Sequence, residues 1–126
     1  MHSRFVLNNS GGQFTFQLRA AGNSEIILTS EPFTRKTSAL AGIVAVKACA
    51  NWDKRFRRRS RRGAAYFVLQ AHNGEVLGTS AVFSTASERE AGIEAVRTNA
   101  RMAKVEDHTQ SEPQPESPRP PQRASL

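Results

Sequence analysis

A stretch of 26 residues occurs twice in this chain, fifty positions apart and without a gap. Glu75 to Ala100 reads EVLGTSAVFSTASEREAGIEAVRTNA, and Glu25 to Ala50 reads EIILTSEPFTRKTSALAGIVAVKACA. Glu25, Thr29, Ser30, Phe33, Ala41, Gly42, Ile43, Ala45, Val46 and Ala50 recur as Glu75, Thr79, Ser80, Phe83, Ala91, Gly92, Ile93, Ala95, Val96 and Ala100. Such self-similarity marks a duplicated unit. A unit of this size buries too little apolar surface to stand alone, so the two copies must share one core.

The pattern within each copy fixes its elements. Phe5-Val6-Leu7 reads as a short strand and Asn8 to Gly12 as a turn rich in residues that tolerate positive φ. Phe14, Phe16, Leu18 and Ala20 alternate with Gln13, Thr15, Gln17 and Arg19, the period-2 signature of a half-buried strand. Gly22-Asn23-Ser24 turns the chain and Ile26-Ile27-Leu28 returns it, giving a three-stranded antiparallel meander. A helix follows, with Thr34 as its expected N-cap and Leu40, Ile43, Val46, Lys47 and Ala50 at three- and four-residue spacing. Gly42 and Gly92 sit at equivalent helical positions, which predicts close approach of helix to sheet in both copies.

The start of the second copy aligns at an offset of 51. Arg4-Phe5 then matches Arg55-Phe56, Gly12 matches Gly63, and Phe16, Leu18 and Ala20 match Phe67, Leu69 and Ala71. The extra residue is absorbed in the second turn, where length changes are tolerated. The arginine run is therefore expected to be a strand and turn, not a linker. The second helix is expected over Ala86 to Ala100, opened by the capping box Thr85-Ala86-Ser87-Glu88 with Glu88 reaching back to the Thr85 backbone. Glu90 and Glu94 form a like-charge pair on this helix, and Arg89 and Arg97 are spaced to neutralise neighbours.

Composition adds bounds. Of 18 lysines and arginines, Lys54, Arg55, Arg57, Arg58, Arg59, Arg61 and Arg62 are clustered, and the other 11 equal the 11 acidic residues. The net charge of +7 is thus one local patch. No apolar run is long enough to span a bilayer, and the residues after Met1 lack the apolar core of a signal peptide. The single Cys49 excludes an internal disulfide, which fits a reducing compartment, so a cytoplasmic location is expected. From His108 onward the chain carries Pro113, Pro115, Pro118, Pro120 and Pro121 among polar residues and reads as disordered. The expected organisation is a first β-β-β-α repeat over 4–51, a second over 52–106 and a disordered Pro-rich tail over 107–126.

These motifs resemble the YegP-like family of small bacterial and archaeal proteins. The second repeat carries the family pattern in Phe67, Leu69, Ala71, Asn73, Gly74, Ser80, Phe83, Ser84, Gly92, Ile93, Val96, Asn99 and Ala100. The first matches at Phe16, Leu18, Ala20, Ser30, Phe33, Gly42, Ile43, Val46 and Ala50, and Asp53-Lys54-Arg55-Phe56 is similar to the inter-repeat junction. The resemblance covers residues 4 to about 107. It implies an α+β tandem repeat of two β-β-β-α units with pseudo-twofold symmetry, an antiparallel sheet packed by two helices. It implies no activity. The chain departs from the pattern at Phe33 and Phe83, where tyrosine is common, at Cys49, where Asn99 has its counterpart, and in the more basic run Arg57 to Arg62.

Chemistry-bearing residues are sparse. His2, His72 and His108 have no metal-ligand spacing, and one cysteine adds none. No serine lies in a nucleophile elbow, and no phosphate-cradling glycine loop precedes either helix. Glu25 and Glu75 fit exposed strand ends, and Thr29-Ser30 and Thr79-Ser80 fit local side-chain to backbone bonds. No enzyme activity, cofactor or metal is expected. The arginine patch alone suggests a mechanism: Lys54, Arg55, Arg57, Arg58, Arg59, Arg61 and Arg62 offer guanidinium forks and an ammonium group to phosphate oxygens, with Tyr66, Phe56 and Trp52 nearby as stacking surfaces. Non-specific contact with nucleic acid is the expected role. The alternative is a protein–protein module using a free sheet edge, with the basic run a solvated surface.

Overall fold

A computed structural model describes residues 2–109. The strands are β1 (Arg4–Ser10), β2 (Gln13–Arg19), β3 (Ile26–Thr29), β4 (Phe56–Arg61), β5 (Ala64–Gln70), β6 (Val76–Thr79) and β7 (Lys104–Asp107). The helices are α1 (Lys36–Cys49) and α2 (Ala86–Met102), and Asp53–Arg55 forms a single 3-10 turn before β4. All seven strands join one sheet in the order β4-β5-β6-β3-β2-β1-β7. The two meanders are antiparallel and meet where Thr29 faces Thr79, so the repeats are related by a pseudo-twofold axis between β3 and β6.

Alternation assigns the faces. Phe5, Leu7, Phe16, Leu18, Leu28, Phe67 and Leu69 are buried, and they form one core cluster with Ile43, Val46, Ile93 and Val96 of the two helices. The sharing of a core expected from the repeat length is thus met. Each copy contributes a row of three rings. Phe5 meets Phe16 edge-on, and Phe16 stacks on Phe33 at 6.2 Å. Phe56, Phe67 and Phe83 repeat the arrangement, with the stacked pair at 6.4 Å.

The strand ends are tied alike. Ser30 Oγ accepts a hydrogen bond from the Phe16 amide (2.9 Å) and donates to the Glu31 carbonyl (2.8 Å). Ser80 does the same with Phe67 (3.0 Å) and Ala81 (2.7 Å). Both recurring serines therefore spend their hydroxyls on backbone groups; the bond to the following carbonyl is the local kind expected, while the bond from Phe16 or Phe67 crosses to the neighbouring strand.

Several expectations are corrected. The first turn is only Gly11-Gly12, because Asn8, Asn9 and Ser10 pair with β2 through Gln13. Thr34 does not cap α1: the N-cap position is Arg35, which makes no side-chain cap bond, whereas Thr85 caps α2 by accepting from the Glu88 amide at 3.1 Å. The Glu88 carboxylate reaches the Ser84 amide (3.0 Å) instead of that of Thr85. The buried face of α1 is Ala39, Gly42, Ile43, Val46 and Cys49, so Leu40 lies outside it and is largely exposed. No strand is expected after α2, yet β7 pairs in parallel with β1 from Arg4↔Lys104 to Leu7↔Asp107. The sheet is therefore mixed, and Asp107 belongs to a strand instead of a tail. The remainder of the expected disordered tail, residues 110–126, lies outside the described residues.

Glycines mark the tightest contacts. A Cβ on Gly92 would stand 2.6 Å from Phe83 Cζ, and one on Gly42 would stand 3.0 Å from Phe33 Cζ. In β6 a Cβ on Gly78 would meet Leu28 Cγ at 2.7 Å, against a branch carbon of a fully buried side chain. Overpacking of this kind costs roughly 1–3 kcal/mol. Gly78→Ala and Gly92→Ala are each expected to destabilise by about that amount in urea titrations, with Gly42→Ala milder. A neutral Gly78→Ala would mean that Leu28 has room to move.

Candidate functional site

The arginine run folds as β4 because alternate residues suit opposite faces of a sheet. Phe56 turns inward, is 3% exposed and anchors the strand on Phe67. Arg57, Arg59 and Arg61 pair with Val68, Tyr66 and Ala64 of β5 and lie on the face opposite the helices. Arg57 donates to Gln70 Oε1 there at 2.9 Å. Arg62 and Gly63 make the turn with φ of +52° and +82°.

Arg58 points the other way. Its guanidinium bonds both Glu90 oxygens of α2 (2.8 to 3.1 Å) and Asp53 (3.0 Å), joining the strand to the helix and to the 3-10 turn. Those bonds hold the Glu90 and Asp53 carboxyls below their ordinary range and raise the arginine's own pKa. Arg89 adds a bond to the Arg59 carbonyl at 2.9 Å. Arg55 is half-buried and donates to the Ala71 carbonyl (3.2 Å), while Lys54 is exposed.

The seven basic residues of the run thus divide. Arg58 and Arg55 serve the fold, and among the described residues no carboxylate lies within ion-pair distance of Lys54, Arg57, Arg59, Arg61 or Arg62. Arg55 lies in the 3-10 turn that precedes β4, apart from Arg57 and Arg59 on the strand.

Beside the free arginines the outer sheet face is concave. A groove of about 530 Å³ is bordered by Arg61 and Arg62 on the β4 side and by Glu31 on the β3 side, with Tyr66, Val68 and Val76 among the side chains between. Of the three aromatic residues expected near the patch, only Tyr66 lines this groove. Phe56 is buried in the core, and Trp52 is exposed but lies outside the groove. Val68, Val76 and Glu31 are not apparent as site residues in the run itself. For Val68 the signal is the internal comparison: Thr15 and Gln17 stand where the second copy has Tyr66 and Val68, and Ser10-Gly11 where it has Arg61-Arg62.

Elsewhere there is little that could do chemistry. Among the described residues no group of three or more His, Cys, Asp or Glu is placed to hold a metal ion. Cys49 is buried, and burial pushes its thiol pKa up, away from the reactive thiolate. No described helix is long and apolar enough to cross a membrane.

Comparison with known proteins agrees with this architecture. A family model described as "Domain of unknown function (DUF1508)" matches twice, at residues 9–56 and 60–107. A UPF0339 protein of Bordetella pertussis is 45% identical over 112 residues, 88% of this chain and 100% of the relative. The UPF0339 protein YegP of Escherichia coli is 41% identical over 102 residues, 80% of this chain and 92% of its own. The solution structure of E. coli yegP, a protein of unknown function, superposes with a TM-score of 0.81 over 86% of this chain and 95% of that one, at 40% identity. A UPF0339 protein of Shewanella oneidensis gives 0.82 at 34% identity, over 89% of this chain and 96% of that one.

The two kinds of arginine predict two kinds of variant. Arg58→Ser is expected to lower the melting temperature, whereas Arg57→Ser or Arg59→Ser changes it little, by circular dichroism. Acid should act on the same clamp. The folded-state pKa values of Glu90, Asp53 and Asp107 lie below their unfolded values, and for Asp107, held by Lys36 and Thr109, the value is about 2. The stabilisation from these groups is complete above the ordinary carboxylate range and is lost as pH falls through the lowered values. Solvent screening keeps each contribution small. Arg58→Ser should remove part of this acid dependence, and an unchanged acid limb would show the clamp to be idle.

Proposed function

The chain belongs to the DUF1508 family, and from that premise we propose a non-enzymatic binding protein whose β4–β5 hairpin holds the phosphate backbone of a nucleic acid. The observation that carries this reading is that Arg57, Arg59, Arg61 and Arg62 have no carboxylate partner among the described residues, beside an Arg58 that is paired with two. The arginines that serve the fold are each engaged by it, Arg58 by two carboxylates and Arg55 by the Ala71 carbonyl. Planar guanidinium groups without a carboxylate partner suit phosphate oxygens, which accept two parallel bonds from each fork.

A second observation supports it. Arg62 holds a left-handed φ of +52°, where the first copy has Gly11 at +60°. A non-glycine residue there costs roughly 1–2 kcal/mol. Retaining an arginine at that cost is explained if its side chain is needed at the hairpin tip.

A different partner class is favoured by one asymmetry. The outer edge of β1 is covered by β7, while its counterpart β4 ends the sheet. A terminal strand can accept a peptide by strand addition. Salt separates the readings, since backbone hydrogen bonds respond weakly to it and phosphate contacts strongly.

The test is fluorescence anisotropy with labelled oligonucleotides at low and near-physiological salt. Four phosphate contacts predict a salt slope of about three, or roughly fiftyfold weaker binding between 50 and 200 mM salt. Arg57→Ser, Arg59→Ser and Arg61→Ser should each reduce that slope by about 0.7 without unfolding the protein. Arg62→Gly should weaken binding while stabilising the fold by about 1 kcal/mol. Absence of binding at low salt would overturn the reading.

A further inference from the structure

Arg61 and Arg62 border a depression that phosphate binding does not use. Its floor combines one aromatic ring, Tyr66, with the aliphatic side chains of Val68 and Val76. Such a surface contributes nothing to holding a phosphate, yet it is continuous with Arg61 and Arg62. The first copy serves as an internal control. Its core residues repeat, but on the equivalent face Thr15 and Gln17 replace Tyr66 and Val68, and Ser10-Gly11 replaces Arg61-Arg62. The ring, Val68 and the arginines therefore occur together on one copy and are absent together from the other, although both copies build the same sheet and Val76 has an aliphatic counterpart in Ile26.

Resting on the phosphate-binding reading above, we infer that this groove receives an unpaired nucleobase, with Tyr66 as its stacking platform, and that the ligand is single-stranded nucleic acid. A base in a duplex hides its faces in the stack and presents only phosphates and groove edges, so an apolar floor with a half-buried ring gains nothing from it. An unpaired base offers a flat face, and stacking on an aromatic side chain tolerates any base. The charge layout agrees. Glu31 stands across β5 and β6 from the arginines, where it repels phosphate but can accept a hydrogen bond from an N–H on the edge of a base. The backbone of the strand is thereby assigned to the Arg61 and Arg62 side and the base to the middle. Tyr66 is the single tyrosine of the chain, Phe56 is buried, and Trp52 does not line the groove.

The experiment compares a labelled single-stranded oligothymidylate of about twelve nucleotides with a duplex of the same length, using the full chain and its Tyr66→Ala and Tyr66→Phe variants. The single strand is expected to bind more tightly than the duplex. Tyr66→Ala should weaken single-strand binding about tenfold and leave duplex binding unchanged, while Tyr66→Phe, which keeps the ring, should remain within about twofold. Equal binding of both probes, or a Tyr66→Ala variant that binds as the parent does, overturns the base site while leaving the arginine reading intact. No binding of either probe at low salt overturns the arginine reading itself. A dimer at the titration concentration that Tyr66→Ala dissociates would assign the groove to a second copy and also overturn the inference. Thermal unfolding of both variants excludes a general loss of structure.

Discussion

Everything in this fold rests on how closely each helix can approach its sheet. Gly42 and Gly92 present bare backbone to the tips of Phe33 and Phe83, which in turn lie flat on Phe16 and Phe67. The third ring of each row, Phe5 or Phe56, closes it edge-on. Aromatic rings in stacked and edge-on contact fill space with little loss of rotamer freedom. Once the helix is seated on that row, Val46 and Val96 are fully buried and the shared core is complete.

That seating explains why the two copies differ where they do. Residues facing the helices are constrained by the ring rows and the glycines, so they recur. Residues on the other face answer to water, and there the copies have diverged into a polar surface around Thr15 and Gln17 and a basic, partly apolar one around Tyr66 and Arg61. Arg58 is the exception that crosses faces. It occupies the inward position of Leu7, and an arginine is tolerated there because the strand is terminal and Glu90 and Asp53 meet its charge.

Most of the fold was legible because it is written in repeated apolar positions. The meanders, both helices, the shared core and the strand character of the arginine run all follow from alternation and from the offset between copies. The misses have physical causes. Thr34 looks like a cap in isolation, but the equivalent of Thr85 is Arg35, so α1 starts without one. Strand β7 has one apolar residue in four, all exposed, and exists because β1 offers it a ladder. The candidate site was half legible. The arginines announce themselves, but which of them are engaged depends on Asp53, on Glu90 far along the chain and on the Ala71 carbonyl. Asking which outward residues fail to repeat finds Tyr66, Val68, Arg61 and Arg62, whereas Val76 and Glu31 emerge only from the sheet order.

The parallel pairing of β7 with β1 joins residues about a hundred positions apart, at opposite ends of the described chain. No fragment that stops short of Lys104 can complete the outer edge of the first strand. As the protein emerges from a ribosome, its first repeat must therefore wait, with β1 unshielded, until both helices have been made. The strand that covers β1 is thus the last of the sheet to be made. The two repeats, alike in plan, are consequently not interchangeable in time: the earlier one finishes last.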